Sequence, residues 1–155
     1  MSARPPVTPA GTAPPTAEQV NAMVAAQFPG IRNRCDALGP DCALARREVA
    51  SADIRPGGYI SGPAQFALAD VAMWFLSFAV IGRIEPMALT SELSIRFLRP
   101  AQGRVLWARA ALESAGRRQI VASVRIWVDD REDAPCSVAQ GTYVIPREGT
   151  GPLPV

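Results

Sequence analysis

The sequence contains no histidine among its 155 residues. A Ser–His–Asp triad, a histidine-dependent dehydratase and most zinc sites all require an imidazole. The absence therefore excludes these classes of site without further argument. Whatever chemistry the protein performs has to proceed without a histidine.

Cysteine is scarce and charge is nearly balanced. The three cysteines, Cys35, Cys42 and Cys136, are odd in number and lack the spacing of metal or redox motifs, which indicates reduced thiols in a cytoplasmic protein. We therefore predict neither a metal nor a separate cofactor. A net charge of +2 is too small to indicate nucleic-acid binding. The length suggests one domain with a substantial core.

The two ends have little to bury. Five prolines fall within the first fifteen positions, and no apolar run follows Arg4, so residues 1–16 are predicted to be a disordered tail and not a signal peptide. Residues 147–155 are predicted to be a flexible C-terminal tail. A single domain over residues 17–146 remains.

The stretch from Arg55 to Gly82 is the most informative part of the chain. Residues 55–63 hold three glycines and two prolines, which is typical of a loop, whereas residues 64–81 have only three polar side chains. This predicts a long apolar helix with Gly62 as its cap and Pro63 at the first helical position. The helix is long enough to span a bilayer. We reject a membrane because Asp70 lies well inside it and amphipathic strands need it as a packing partner.

Asp70 is the one acidic residue in this apolar helix. Burying an ionised carboxylate costs several kcal/mol unless something compensates. Two explanations stay open at this point. The carboxylate has a structural partner, such as an arginine or the first-turn amides of the helix, or it faces a cleft and does chemistry.

The rest of the chain predicts one short helix and several strands. A helix is expected from Thr16 to about Phe28, followed by a loop as far as Pro40. In residues 87–98, Leu89, Leu93 and Phe97 are predicted to share one face and Thr90 the other. The short connections of the last four strands indicate an antiparallel meander. The predicted strands are residues 43–52, 87–98, 104–112, 119–128 and 137–145.

Several segments together resemble one known family. They read RPGGYISGPAQFALADVAMW, LTSELSIRFLRPAQGRVLWARA, GRR and AQGTYVIP. With LAD in the helix and FLRPA closing the next strand, residues 43–146 resemble the PaaI-type (phenylacetate-pathway) acyl-CoA thioesterases. The resemblance implies the α+β hotdog fold, an antiparallel sheet of about five strands wrapped round one long apolar helix. The His-Gly-Gly of the family's loop is replaced here by Ser61-Gly62-Pro63.

The resemblance also implies a site and an activity, the hydrolysis of an acyl-CoA to free acid and CoA. The acid at the Asp70 position activates water or attacks directly, and the Gly62 N–H binds the carbonyl oxygen. The two groups come from different subunits of a homodimer or a homotetramer. A helix N-terminus suits a developing oxyanion. Because a thiol with a pKa of about 8.5 can leave as thiolate, the missing histidine does not abolish the mechanism.

Other candidates have a structural and a functional interpretation. Ser61 orients the substrate carbonyl or completes the turn, and Gln65 caps the helix or holds the catalytic water. Glu92 is a second acid at an outward strand position, which suits a surface residue. The alternative function is a non-catalytic acyl-CoA-binding protein that has lost the family histidine. Further substrate-binding candidates are Tyr59, Pro63, Met73 and Trp74, and the candidates for the CoA phosphates are Arg99, Arg117 and Arg118, with Arg96 and Arg104 as weaker ones.

Overall fold

The computed structural model describes residues 13–148. Residues 1–12 and 149–155, which make up most of the two predicted tails, lie outside the described residues. The helices are α1 (Ala17–Gln27) and α2 (Gly62–Ile81), with a single 3-10 turn at Ser51–Asp53. The strands are β1 (Asn33–Leu38), β2 (Cys42–Glu48), β3 (Ile54–Arg55), β4 (Tyr59–Ile60), β5 (Leu89–Phe97), β6 (Val105–Ala115), β7 (Gln119–Val128) and β8 (Ser137–Val144).

Helix α1 begins where the sequence predicts. The Thr16 hydroxyl accepts a hydrogen bond from the Gln19 backbone N–H, and the Gln19 side chain accepts one from the Thr16 N–H, which forms a capping box. Asn21 then exchanges two 2.8 Å hydrogen bonds with the backbone of Cys35 in β1. These bonds fix α1 against the edge of the sheet.

The predicted loop over residues 29–40 is wrong, because β1 lies within it. β1 pairs antiparallel with β2, and a bulge interrupts the pairing between Cys35 and Ala37. The strand is short and carries Arg34 and Asp36, so its own sequence has little strand pattern. It forms because β2 offers a free edge, and it gives the main sheet six strands instead of the expected five.

The main sheet has the order β1-β2-β6-β7-β8-β5. β6, β7 and β8 form the predicted meander, but β5 is not part of it. β6 already has β2 on one side and β7 on the other, so β5 pairs with β8 and becomes an edge of the sheet. The prediction that four consecutive strands form one meander was therefore wrong for β5.

The sheet wraps around α2, which confirms the predicted hotdog fold. Leu68, Phe75 and Phe78 of α2 are fully buried, and they pack in one core with inward residues of the strands. The helix is long and apolar enough to cross a membrane by length and composition, but most of it is buried inside the domain. Its apolar surface is therefore explained by the sheet that covers it.

A bulge in β5 reverses the predicted side-chain alternation. The pairing with β8 shifts between Thr90 and Glu92, and Thr90 lies opposite Tyr143 on the face that covers α2. Leu89 lies opposite Val144 and is 65% exposed. The prediction that Leu89 shares a face with Leu93 was wrong, because one extra residue changes the phase of a strand.

Gly141 makes the close approach of β8 to this bulge possible. A Cβ atom there would overlap the backbone oxygen of Glu92 and lie 3.1 Å from Cε of Met73. We expect Gly141→Ala to lower the free energy of unfolding by about 2–3 kcal/mol, because neither neighbour can move freely. Gly116→Ala is the matched control, since its Cβ would meet only the Gln119 oxygen at 3.7 Å. Equal midpoints for the two variants in urea unfolding would contradict this prediction.

Candidate functional site

Asp70 lies half-buried on α2 and contacts two hydroxyl groups. Thr90 Oγ1 donates a 2.5 Å hydrogen bond to Oδ1 of Asp70, and Tyr143 OH donates to the same oxygen at 2.9 Å. Among residues 13–148 no ion pair involves Asp70. Two explanations were offered for this carboxylate, a structural partner or a cleft. The described structure shows no arginine partner for Asp70 and places it on a pocket.

The two hydroxyl donors were missed by the sequence analysis. Thr90 and Tyr143 are cross-strand partners, 20 and 73 residues from Asp70. Burial and the charge of Asp70 raise the pKa of Tyr143, so the phenol stays protonated and able to donate. Both bonds go to Oδ1, and Oδ2 accepts none from the described residues. One carboxylate oxygen is therefore held by two hydroxyl groups, while the other has no hydrogen-bond donor among the described residues.

The pocket beside Asp70 has a volume of about 330 Å³. Trp74, one turn after Asp70, lines it, as proposed from the sequence, whereas Met73 is fully buried in the core and does not. The Trp74 ring packs edge-to-face against Phe28, with centroids 5.5 Å apart. The other residues of the lining are Ile31, Val71, Pro86, Ala88, Leu89, Thr90 and Tyr143.

Gly62 lies at the first turn of α2, on a second pocket of about 710 Å³. The predicted cap at Gly62 was wrong by one residue, because the Ser61 hydroxyl accepts from the Ala64 N–H and Ser61 is the N-cap. Ser61 and Pro63 do not line this pocket. No hydrogen bond from the Gly62 N–H to another described residue is present. The wall of the pocket is formed by Arg55, Pro56, Tyr59, Ile60, Gln65, Phe97, Leu98, Arg99, Pro100 and Ala101.

The Gln65 side chain forms two hydrogen bonds, and neither of them caps the helix. Its Oε1 accepts a 2.8 Å hydrogen bond from the buried Ser137 hydroxyl, and its Nε2 donates to the Ile60 carbonyl at 3.2 Å. The Ile60 N–H in turn donates to the Ala101 carbonyl. This chain of bonds ties the turn in front of Gly62 to strand β8 and to the loop after β5.

A buried ion-pair cluster holds the other end of the same loop. Asp53 is 3% exposed and accepts hydrogen bonds from Arg32 and Arg47, while its backbone carbonyl accepts from the Ser61 N–H. Burial alone would raise the pKa of Asp53, but Arg32, the Ala50 amide and Arg47 together hold it well below its usual range. The buried carboxylate with arginine partners is therefore Asp53, and its role is to anchor the loop.

The remaining candidates divide between the two ends of the sheet. Arg99 lines the Gly62 pocket together with Arg55, which the sequence analysis did not single out. Arg117 and Arg118 are exposed at the β6–β7 turn, and Arg118 donates to the Ile145 carbonyl.

Glu92 is exposed, as its outward position predicted. The three cysteines are free, and burial raises the pKa of Cys35 to about 12, which makes it a poor nucleophile.

Comparison with known proteins gives a consistent result. Residues 57–134 match the model of the family described as "Thioesterase superfamily". A candidate thioesterase from Silicibacter sp. TM1040 superposes with a TM-score of 0.74 at 34% identity, over 85% of this chain and 92% of that one. A mutant thioesterase from Pseudomonas aeruginosa gives 0.71 at 24% identity, over 84% and 93%.

A mutant of the phenylacetic acid degradation protein PaaI from Thermus thermophilus shares the fold at greater distance. Its TM-score is 0.62 at 21% identity, over 79% of this chain and 97% of that one. No functionally curated protein gave a significant sequence match.

Proposed function

Since the chain belongs to the thioesterase superfamily, we propose that it hydrolyses an acyl-CoA thioester to a free acid and CoA. One observation carries the proposal. Asp70 has one oxygen held by Thr90 and Tyr143 and the other open, and it lies on an apolar pocket. A positioned carboxylate beside a space for an acyl group is what thioester hydrolysis requires.

The proposed reaction needs two protein groups. Asp70 takes a proton from a water that attacks the thioester carbonyl, or its free Oδ2 attacks the carbonyl directly and water then opens the mixed anhydride. The negative charge that develops on the carbonyl oxygen is stabilised by the Gly62 N–H at the N-terminus of α2. The C–S bond breaks, and CoA leaves as a thiolate that takes up a proton from solvent.

One subunit cannot supply both groups to one thioester. Gly62 and Asp70 lie eight residues apart on α2, which is about 12 Å along the helix axis. The pockets are farther apart along β5. Thr90 lines one and Phe97 the other, and their partners Tyr143 and Ser137 are six residues apart on β8, which is about 20 Å. A reacting carbonyl has to lie within about 3 Å of each group. We therefore propose that the site lies between two subunits.

The edge strand β5 provides the geometry for such a site. Its free edge carries exposed apolar side chains, with Leu89 65% and Phe97 53% exposed, which is unusual for an edge that stays in solvent. If two copies pair antiparallel through β5 about a two-fold axis, the start of one strand lies beside the end of the other. The Asp70 pocket of one subunit then faces the Gly62 pocket of its partner.

Arg55 and Arg99 on the Gly62 pocket are proposed to bind the CoA phosphates. Both arginines belong to the lining of this pocket, and a guanidinium group suits a phosphate. Arg117 and Arg118 line neither pocket in one subunit. They would contact CoA only across the proposed interface.

The proposal is tested by measuring thiol release from acyl-CoAs with the purified protein. Release of one thiol per free acid formed is expected, with turnover. Isothermal calorimetry on the same preparations identifies the alternative function. Binding of acyl-CoA without thiol release over hours would show a non-catalytic binding protein and would overturn the proposal.

The role of the Gly62 N–H can be isolated with two substitutions. Gly62→Pro removes the donor at a position where proline suits the helix start, while Gly62→Ala keeps the donor. Both add a Cβ atom near the half-exposed Phe97 ring, 3.0 Å from Cζ. We expect kcat to be about a hundredfold lower for the proline variant than for the alanine variant. Equal kcat values for the two variants would show that this N–H does not bind the oxyanion.

A further inference from the structure

The pocket beside Asp70 is apolar apart from one corner. Apart from the Trp74 indole N–H, which is buried and has no partner among the described residues, its polar members are Asp70, Thr90 and Tyr143, and they contact one another. Among the described residues of one subunit no cationic side chain lines it, and Asp70 contributes the one charge. A second carboxylate on the acyl group would be desolvated without a partner and repelled by Asp70.

The volume of this pocket indicates how much of an acyl group one subunit can cover. An engineered apolar cavity of about 150 Å³ holds one benzene. The space beside Asp70, about 330 Å³, is roughly twice as large and corresponds to about twelve carbon atoms. An acetyl group would leave most of it empty, and a palmitoyl chain would extend beyond it.

Helix α1 supplies part of the wall. Phe28 at its C-terminal end packs against Trp74, and Ile31 follows three residues later on the same pocket. Phe28 is 41% exposed and Trp74 is 7% exposed, so Phe28 lies on the solvent side of the pair. The hydrogen bonds between Asn21 and Cys35 hold α1 on the sheet. The wall is therefore joined to the sheet through α1.

From this pocket, and resting on the proposed function, we infer that the substrate is the thioester of an uncharged apolar acid of about eight to twelve carbons. Phe28 is the specificity-determining residue that such an acyl group reaches and that a two-carbon group does not. Each methylene that the pocket buries raises the affinity for the substrate about fourfold, until the pocket is full.

The acyl preference is measured as kcat/KM for acetyl-, butyryl-, octanoyl-, decanoyl- and palmitoyl-CoA, with suberoyl-CoA as the eight-carbon substrate that ends in a carboxylate. We expect a maximum at octanoyl or decanoyl and at least about a hundredfold preference for octanoyl over suberoyl. The inference would be overturned by a maximum at acetyl-, butyryl- or palmitoyl-CoA. Equal kcat/KM values for suberoyl-CoA and octanoyl-CoA would overturn it as well. Absence of hydrolysis with every substrate would instead overturn the proposed function.

The role of Phe28 is tested by Phe28→Ala, with Met23→Ala as control. Met23 is also a half-buried apolar residue of α1, but it does not line the pocket. We expect Phe28→Ala to lower the octanoyl-to-acetyl ratio of kcat/KM about tenfold, because the longer chain loses its contact with the ring. Met23→Ala should leave this ratio unchanged even where it lowers Tm. An equal change of the ratio in both variants would show that Phe28 acts only through the stability of α1.

Discussion

Asp70→Asn is expected to lower kcat/KM for acyl-CoA hydrolysis by about a thousandfold. The asparagine keeps an oxygen that accepts from Thr90 and Tyr143, so the side chain retains its position. It loses the oxygen that removes a proton from water or attacks the carbonyl. The measurement is thiol release at saturating and at limiting substrate, together with a thermal unfolding curve that is expected to match the wild type.

Asp130→Asn is the control for this substitution. Asp130 is exposed in the turn after β7, so its replacement removes the same charge from the protein without touching either pocket. Its kcat/KM is expected to stay within about twofold of the wild type. Equal rates for Asp70→Asn and the wild type would remove Asp70 from the mechanism.

Mixing two inactive variants is expected to restore about a quarter of the wild-type activity. If each site takes Asp70 from one subunit and Gly62 from the other, a heterodimer of Asp70→Asn and Gly62→Pro has one intact site and one doubly substituted site. Random exchange of subunits makes about half of the dimers heterodimers. The experiment co-refolds equal amounts of the two variants and measures thiol release before and after mixing.

The complementary mixture provides the control. When the wild type is mixed with the double variant carrying both substitutions, every site in the heterodimer lacks one group. Half of the wild-type subunits then lie in inactive heterodimers. Activity should therefore fall to about half of that of the same amount of wild type alone. If both groups come from the same subunit, the first mixture stays inactive and the second keeps full activity. That pair of results would reject a site between subunits.

The long helix and its acid could be predicted from local sequence. Residues 64–81 are apolar with few exceptions, and Asp70 stands out among them. The helix formed within one residue of its predicted start, and the error concerned only whether Ser61 or Gly62 is the cap. These predictions succeeded because propensity, capping and burial of a helix act over a few neighbouring residues.

The surroundings of Asp70 could not be predicted in the same way. Thr90 was assigned to the wrong face because a bulge in β5 leaves no mark in a simple alternation of polar and apolar residues. Tyr143 was read only as part of the last strand. Both reach Asp70 because β5 pairs with β8, and that pairing depends on which strand edges are already occupied.

The sequence by itself determined a histidine-free chain, a central apolar helix with a single acid, and a glycine-rich turn at the start of that helix. The tertiary structure decided which oxygen of Asp70 is held, which residues form the two pockets, and that the end of α1 supplies part of the wall of one of them. The physical reason is the range of the interactions. Helix and turn signals act between near neighbours, whereas strand order, register and pocket walls are set by contacts between segments far apart in the chain.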